Sequence, residues 1–285
     1  MTVRSADTNV AHLSEKYKLS CRGILTESVY YSQGYYDWRV LFRNKQLKIM
    51  SLPINTIIIP DVHGRTFWRE AVKGNEDARI IFLGDYIDPY PYEGITPAQA
   101  LAEFRDIVNF KNEHPENVTL LLGNHDLGYF DRDICEVRHD YLNEGAIRRL
   151  FKENLECFDL CLEETTPSGS SVLFSHAGVN PSWVSAHSEL FPDATFDAGR
   201  LNGLFHDVNS RHMVLRALAD ISYHRGGDEN AGSPVWADLH EFEDSEYEET
   251  LQIVGHTQLR DKPVLCGTVL CVDCRKAFTE LTSIL

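Results

Sequence analysis

Two residues that directly follow an apolar run, Asp61 and His63, have the types and the spacing of metal ligands. Residues 57–59 predict a short buried strand, and Gly64 allows a tight turn after it. In an extended backbone, residues two positions apart point to the same side, so both side chains are expected to reach one point beyond the strand. A carboxylate oxygen beside an imidazole nitrogen suits a divalent transition metal. Taken alone, the pair also fits an ordinary strand-to-helix turn.

Four later segments repeat this design, because in each an apolar run ends in Asp, Asn or His beside a glycine. These segments are Gly84-Asp85-Tyr86-Ile87-Asp88, Gly123-Asn124-His125-Asp126, Ser175-His176-Ala177-Gly178 and Gly255-His256-Thr257. A single histidine or Gly-Asp pair after a strand is more often structural than functional. Five such segments in one chain are hard to explain as turns, and together they predict a shared site.

The composition excludes several classes of protein. The 285 residues, 43% hydrophobic and 25% charged, are ordinary for one large or two small globular domains. No run approaches the roughly 18 apolar residues that cross a bilayer, and the N-terminal residues lack the apolar stretch of a secretion signal. Seven scattered cysteines indicate reduced thiols in the cytoplasm rather than a disulfide framework. A net charge of −16 argues against binding to a nucleic-acid backbone, and no membrane partner is expected.

The elements that must position these residues alternate between strands and helices from residue 57 onward. Strands are predicted at 79–83, 118–122, 172–174 and 251–254, and helices at 66–73, 96–112 and 143–155. The helix at 96–112 is the best marked, because Thr96-Pro97-Ala98-Gln99 is a capping box with proline at the first helical position. The pattern predicts an α/β fold whose active loops lie beyond strand ends.

The ordered series Asp-x-His-Gly, Gly-Asp-x-x-Asp, Gly-Asn-His-Asp, His-Ala-Gly and Gly-His-Thr resembles the calcineurin-like metallophosphoesterase superfamily. Within it, the chain is most similar to the phosphoprotein-phosphatase branch and its bacterial and phage-type relatives. The resemblance implies a four-layer α/β sandwich, with two mixed β-sheets packed face to face and helices outside. It also implies a metallophosphoesterase domain at residues 56–285, with residues 1–55 as an N-terminal extension or cap on the core.

The same resemblance implies a site for two divalent metal ions. Its six ligands would be polar side chains at strand ends: Asp61, His63, Asp85, Asn124, His176 and His256. Asp85 would bridge the two ions, with Asp61 and His63 on the first ion and the other three ligands on the second. His125 matches the catalytic histidine of the family, and Asp88 matches the carboxylate that orients it.

The chemistry of phosphate esters calls for these residue types independently of the family. Phosphoryl oxygens repel nucleophiles, and two divalent ions about 3.5–4 Å apart neutralise that charge and supply hydroxide at neutral pH. We therefore expect metal-bound hydroxide to attack phosphorus without a covalent enzyme intermediate, and His125 to act as general acid for the leaving group. Manganese is the first choice of metal, and iron, zinc and nickel also tolerate this ligand set.

Arginines are expected to bind the phosphate oxygens, because a guanidinium fork matches their geometry. Arg225, ahead of Gly226 and Gly227, resembles the phosphate-binding arginine of the family and is the first candidate. The chain departs from the family where Pro89 stands in place of an arginine after Asp88. A substitute for that arginine would come from Arg65, Arg132 or Arg138.

The loop after Asp88 carries Tyr90 and Tyr92, which either line a substrate cleft and stack on a base or pack against a neighbouring loop. The sequence therefore predicts a metal-dependent phosphatase, most simply a phosphomonoesterase acting on a phosphorylated small molecule or on phosphoserine, phosphothreonine or phosphotyrosine in a phosphoprotein. The alternatives are a dinucleoside polyphosphate (nucleotide) hydrolase and a non-catalytic scaffold of the same fold. A scaffold would be expected to have lost ligands or the catalytic histidine.

Overall fold

The computed structural model describes residues 24–30, 36–42, 56–131, 137–166, 169–243 and 250–277, the first two ranges as backbone only. Most of the predicted extension at residues 1–55 falls outside these ranges, and so does Arg132. The sheet content begins with β1 (Ile24–Tyr30) and β2 (Tyr36–Phe42), which pair with each other in antiparallel fashion.

The remaining strands are β3 (Thr56–Ile59), β4 (Arg79–Phe82), β5 (Val118–Leu121), β6 (Phe158–Asp159), β7 (Cys161–Thr165), β8 (Ser171–Ser175), β9 (Leu251–Val254), β10 (Val264–Cys266) and β11 (Val269–Cys271). The helices are α1 (Phe67–Val72), α2 (Pro97–Glu113), α3 (Asn124–Leu127), α4 (Glu144–Glu153), α5 (Pro181–Ala186), α6 (Ala198–His206) and α7 (Arg211–Leu218). Strands and helices alternate from β3 to β5, as the sequence pattern predicts, whereas β6 to β8 and β9 to β11 are runs of consecutive strands. Among the described residues, no helix is long and apolar enough to cross a membrane.

Strands β3 to β11 form two sheets. The first has the order β3-β4-β5-β6 and is parallel at each described pairing. The second has the order β10-β11-β9-β8-β7, with parallel pairs in its centre and antiparallel pairs at both edges. The predicted α/β sandwich is confirmed, with the refinement that only the five-stranded sheet is mixed. The first sheet is parallel because α1 and α2 carry the chain back between successive strands.

The two sheets pack face to face through the alternate residues of their strands. Ile58 of β3 and Ile81 of β4 share one buried apolar cluster with Phe174 of β8 and Ile253 of β9. Each of these four side chains is at most 1% exposed. Because neighbouring residues on a strand point to opposite sides, this cluster forms the layer between the sheets.

The other faces of the sheets are covered by helices. Ile57 of β3 and Phe82 of β4 belong to a second buried cluster, which also holds Phe104 of α2 and Phe151 of α4. The second sheet is covered in the same way, since α6 packs beside β7. The result is the predicted order of helices, sheet, sheet and helices.

The capping box predicted for the long helix is present at the start of α2. The Thr96 hydroxyl accepts a hydrogen bond from the Gln99 backbone N–H at 3.2 Å, and the Gln99 side chain accepts from the Thr96 backbone N–H at 2.8 Å. Two of the backbone groups that a helix start leaves unpaired are therefore satisfied locally. This helix packs on the first sheet and fixes the loop that carries Asp88.

Candidate metal centre

Four of the predicted site residues have a left-handed backbone, with φ of 44° at His63, 52° at Asp85, 58° at Asp88 and 64° at His256. Such angles cost about 1–3 kcal/mol for residues other than glycine and cluster at functional sites. The expectation that Asp61 and His63 converge along an extended strand is therefore wrong, because His63 lies in a turn. That turn still brings its Nε2 to 3.9 Å from Asp61 Oδ2.

The two aspartates at the centre are almost completely buried, each 2% exposed. Asp61 Oδ1 accepts a hydrogen bond from the His256 backbone N–H at 2.8 Å, and Asp85 Oδ1 accepts one from the His125 backbone N–H at 2.9 Å. Each carboxylate is thus held by a loop from another part of the chain. The Oδ2 atom of each remains directed at the histidines of the site.

His63 presents a free lone pair to both carboxylates. Its Nδ1 donates to the carbonyl of Ile87 at 2.8 Å, so the proton lies on Nδ1. Its Nε2 lies 3.4 Å from Asp85 Oδ2. Burial lowers the pKa of His63 to about 3 and outweighs the attraction of Asp85. The neutral imidazole is the form that binds a metal.

His176 is arranged in the same way on the other side of Asp85. Its Nδ1 donates to the carbonyl of Leu83 at 2.8 Å, which leaves Nε2 unprotonated. This Nε2 lies 3.6 Å from Asp85 Oδ2, 3.0 Å from Asn124 Oδ1 and 3.1 Å from His256 Nδ1. Burial lowers the pKa of His256 well below its ordinary value, so that imidazole is neutral too.

Asp85 belongs to both of the ligand groups that the described residues form. One group is His63, Asp85 and His125, the other is Asp61, Asp85 and His176, and the ligand atoms within each group lie within 4.8 Å of one another. With Asn124 and His256 against His176, all six predicted ligands are gathered in one place. His125 also stands within the first group, although the sequence assigns it to catalysis.

The electrostatics of the site fit bound cations. Burial raises the pKa of Asp61 above its usual value, and the neighbouring Asp85 adds to the effect. At Asp85 burial acts in the same direction, but His176, His125 and His63 outweigh it and lower the pKa of that carboxyl. Buried negative charge beside neutral imidazoles is costly until a cation is bound. The donor set therefore fits divalent ions.

Asp273 is a residue of this region that the sequence patterns did not assign to the site. It is completely buried, and neither of its side-chain oxygens has a hydrogen-bond partner. Burial raises the pKa of Asp273 well above its ordinary value, and Asp61 contributes to that rise. The signal available in the sequence was its place two residues after the apolar strand β11, the same spacing that Asp61 has after β3.

The predicted pair of His125 and Asp88 is in contact. His125 Nδ1 lies 3.1 Å from Asp88 Oδ2, while Asp88 Oδ1 accepts from the Tyr129 hydroxyl at 2.6 Å and from the Asp140 backbone N–H at 3.1 Å. Burial opposes the charged imidazole, but Asp85 and Asp88 outweigh it and raise the pKa of His125. Sequence reasoning missed Tyr129, whose hydroxyl holds the orienting carboxylate.

Asp126, the residue after His125, connects two loops of the site. Its carboxylate accepts backbone N–H groups from Asp85 at 2.8 Å, Tyr86 at 3.1 Å and Gly123 at 2.8 Å. The loop after β4 is thereby tied to the loop after β5. Asp126 thus positions the backbone of Asp85, whereas His125 is in contact with Asp88.

The predicted arginines have different surroundings. Arg225 lies beside His256, with its Nε 2.7 Å from Asp238 Oδ2 and its Nη2 donating to the Thr257 hydroxyl at 2.5 Å. Arg65 is 9% exposed, and its Nε and Nη2 donate to the Glu93 carboxylate at 2.8 and 3.0 Å. Its Nη1 donates to the carbonyl of Asp61 at 3.1 Å. Through these contacts Arg65 stabilises the loop that carries Asp61. They do not support the expected contact of Arg65 with substrate.

Tyr90 borders the site, but its ring is already partly covered. It meets the ring of His63 edge-on at a centroid distance of 4.9 Å, and the guanidinium of Arg138 lies over its face at 3.7 Å. Its ring centroid is 5.3 Å from that of Tyr92, which is 62% exposed. Tyr90 therefore lies in the wall of the site, and one face of its ring is occupied by Arg138.

Comparison with known proteins agrees with this geometry. The sequence profile described as "Calcineurin-like phosphoesterase" matches residues 54–259. The serine/threonine-protein phosphatase 4 catalytic subunit of Eremothecium gossypii is 32% identical over 114 residues, which cover 32% of this chain and 34% of that protein. The chain therefore matches about a third of the length of this curated relative. The crystal structure of a cold-active protein-tyrosine phosphatase from a psychrophilic Shewanella species superposes with a TM-score of 0.50 at 17% identity, over 87% of this chain and 80% of that one. That likeness concerns the fold alone, and the profile match decides the family: the chain belongs to the calcineurin-like phosphoesterases.

Proposed function

We propose that this protein is a metal-dependent phosphoester hydrolase with a dinuclear centre, and that it acts on phosphomonoesters. The observation that carries the proposal is that one buried carboxylate, Asp85, is shared by two groups of ligand-type side chains. A carboxylate has two oxygens and a full negative charge, so it is suited to bridge two cations.

The residues that would hold the ions are Asp61, His63, Asp85, Asn124, His176 and His256. Two divalent ions bound there would supply the Lewis acidity that neutralises phosphoryl charge and activates water. Manganese is our first choice, and iron, zinc or nickel would be accepted by the same nitrogen and oxygen donors. Nε2 of His256 and both side-chain oxygens of Asp273 are buried and have no hydrogen-bond partner among the described residues. Such unpaired buried atoms support the proposal that ions bind here.

The remaining side chains of the site have roles that follow from their contacts. His125 is held through Nδ1 by Asp88, so its other ring nitrogen can donate a proton to the departing oxygen. Arg225, fixed by its ion pair with Asp238, would bind phosphoryl oxygens through its remaining N–H groups. Both roles are proposals that rest on geometry.

A phosphorylated protein or small molecule is the substrate class that we propose. The match to a serine/threonine-protein phosphatase subunit supports this choice, although it spans only part of that relative. The alternative of dinucleoside polyphosphates loses support, because one face of the Tyr90 ring is covered by Arg138. The scaffold alternative expects eroded ligands, whereas all six are present together with His125.

A reducing compartment such as the cytoplasm is the location that we propose. The five described cysteines, Cys157, Cys161, Cys266, Cys271 and Cys274, are free thiols. Free thiols are usual where glutathione keeps cysteines reduced.

The test is hydrolysis by the protein loaded in turn with Mn²⁺, Fe²⁺, Zn²⁺ or Ni²⁺. The substrates are an aryl phosphomonoester, an aryl phosphodiester, a phosphopeptide and a dinucleoside tetraphosphate. We expect the monoester and the phosphopeptide to be the best substrates. Asp85→Asn should lower kcat/KM at least about 100-fold, because even outer-shell changes at metal sites cost 10- to 100-fold.

The matched control is Asp193→Asn, which makes the same change at an exposed position away from the centre. It should leave turnover unchanged. Turnover by Asp85→Asn at the wild-type rate would overturn the bridging role. Preference for the tetraphosphate would favour the nucleotide hydrolase, and inactivity with every metal would favour the scaffold.

A further inference from the structure

Arg138 is a cation beside the site that has no ion pair with a carboxylate of the described residues. Its Nε and Nη2 lie 3.4 and 3.2 Å from the carbonyl oxygen of Asp88, and its guanidinium lies 3.7 Å from the centroid of the Tyr90 ring. Within the ranges that the structure describes, it forms no ion pair with Asp or Glu. Arg65 and Arg225, by contrast, are paired with Glu93 and Asp238.

The contacts of Arg138 fix it beside the reacting groups. Asp88 holds the guanidinium through its backbone carbonyl and holds His125 Nδ1 through its carboxylate at 3.1 Å. Tyr90, the other support of the guanidinium, meets the ring of His63. Asp88 therefore links Arg138 to His125, the proposed general acid, and Tyr90 links it to His63, a predicted metal ligand.

The support that Arg138 receives is typical of a prepared anion site. A guanidinium has five N–H donors, and the contacts of Arg138 with the carbonyl of Asp88 come from Nε and Nη2. A carbonyl and an aromatic face orient the cation without cancelling its charge, and the side chain is half-buried and reachable by solvent. Ordering it in advance also removes part of the entropy cost of binding.

Arg138 and Arg225 flank the centre at different ends. Arg225 contacts Thr257, the residue after His256, whereas Arg138 contacts Asp88 and Tyr90 beside His125 and His63. Together the two guanidiniums carry two positive charges, which exceed the single negative charge of a phosphodiester. A diester has two free oxygens and one negative charge, whereas a monoester dianion has three free oxygens and two charges.

We propose that Arg138 binds a phosphoryl oxygen of the substrate and, with Arg225, makes the site selective for phosphomonoester dianions over phosphodiesters. The inference rests on the proposed function and assigns its substrate class to a particular side chain. Of the three arginines that the sequence offered in place of the one missing at Pro89, it selects Arg138.

The test uses Arg138→Gln, because glutamine can still donate to the carbonyl of Asp88 but has no charge. Arg148→Gln is the control for the loss of an arginine elsewhere. Arg148 is half-buried, donates to the backbone carbonyl of Phe130 at 3.3 Å and lies 3.7 Å from the carboxylate of Glu144. Both variants and the wild type are loaded with Mn²⁺. The readouts are kcat/KM for an aryl monoester and an aryl diester, inorganic-phosphate binding by calorimetry and the unfolding temperature.

We expect Arg138→Gln to lower kcat/KM for the monoester about 10- to 100-fold, the range for one hydrogen bond to a charged group. The diester should be affected several-fold less, phosphate should bind correspondingly more weakly, and Arg148→Gln should match the wild type. Arg138→Lys should recover part of the loss, because it restores the charge without the fork.

If Arg138→Gln lowers kcat/KM equally for both esters, the inference is overturned. It is also overturned if this variant binds phosphate as the wild type does while its unfolding temperature is unchanged. A wild-type protein that hydrolyses neither ester would contradict the proposed function instead. Phosphate binding then still decides the role of Arg138, because calorimetry does not depend on turnover. If Arg138→Gln unfolds at a lower temperature, the Arg138→Lys variant decides. A partial loss that is larger for the monoester than for the diester supports the inference, and equal effects on both esters overturn it.

Discussion

Each of the two buried aspartates divides its oxygens between the protein and the site. Oδ1 of Asp61 and Oδ1 of Asp85 accept backbone N–H groups from His256 and His125, while the Oδ2 atoms lie near His63. This arrangement needs close approach of the backbone. A methyl group at Gly123 would lie 2.2 Å from Asp85 Oδ1, and one at Gly255 would lie 2.3 Å from Asp61 Oδ1.

The first prediction concerns Gly123→Ala. Gly123 has an ordinary backbone angle, φ −101°, so alanine meets no conformational penalty there and acts only through its contact with Asp85. The displaced carboxylate should weaken Mn²⁺ binding about 10- to 100-fold, as misplaced support for a ligand does. Calorimetric titration of the metal-free protein with Mn²⁺ measures this change.

Gly145→Ala is the control, because Gly145 lies in α4 and an added methyl group there meets nothing within 4 Å. Its Mn²⁺ affinity should equal that of the wild type, and its stability should be equal or slightly higher, since alanine favours helices. Wild-type Mn²⁺ affinity in Gly123→Ala would show that Asp85 does not need its observed position.

At the scale of elements, the sequence patterns predicted the strands and helices that carry the ligands. β9 was predicted at its observed bounds, and α2 was predicted within one residue because Thr96 and Gln99 mark its start chemically. The patterns did not predict α5, α6 and α7, between Pro181 and Leu218. These are short helices, of which α6 packs beside β7 and against α7. Helices of this length are stabilised mainly by tertiary packing, which local sequence records weakly.

The candidate site was also predictable only in part, because some of its features are local in the sequence and others are not. A ligand pattern at a strand end is local, so Asp61, Asp85 and His256 could be found from their neighbours in sequence. The contact of Arg138 with Asp88 spans 50 positions, and those of Tyr129 and Asp140 with Asp88 span 41 and 52. No periodicity encodes such contacts, because they depend on how two loops lie in space.

The second prediction concerns His187, which links two of the unpredicted helices. It follows α5, and its Nε2 lies 2.7 Å from the carboxylate of Asp220, which follows α7. Its Nδ1 lies 2.8 Å from Glu189. The hydrogen bond with Asp220, followed by that with Glu189, outweighs burial and raises the pKa of His187.

A raised pKa in the folded state stabilises the protein below the unfolded pKa of about 6.5, and that stabilisation is lost as pH rises through the folded value. We therefore expect His187→Gln to lower the free energy of unfolding by about 1 kcal/mol at pH 6 and by less at pH 9. Urea unfolding of the metal-free proteins at both pH values measures the difference. His212→Gln, at a side chain 70% exposed, should have little effect at either pH. A destabilisation by His187→Gln that is the same at pH 6 and pH 9 would rule out an ionic contribution.

At the scale of the whole molecule, the candidate centre joins the two sheets. Asp61 and Asp85 follow strands of the first sheet, and His176 and His256 follow strands of the second. The matching family profile, residues 54–259, lies almost entirely within the predicted domain at 56–285. The role of residues 1–55 as a cap on this core stays a prediction.

Because the ligands come from both sheets, metal binding should stabilise the fold as a unit. A ligand that binds only the folded state adds about 2.7 kcal/mol at 100 times its Kd. For a chain of this size, that corresponds to a rise in Tm of about 5–10 °C. We expect the protein with saturating Mn²⁺ to unfold at a temperature higher by this amount than the protein in EDTA. Asp85→Asn should lose most of the rise and Asp193→Asn should keep it, which separates the centre from weak binding to the acidic surface. Equal unfolding temperatures with Mn²⁺ and with EDTA would mean that these ligands do not hold an ion between the sheets.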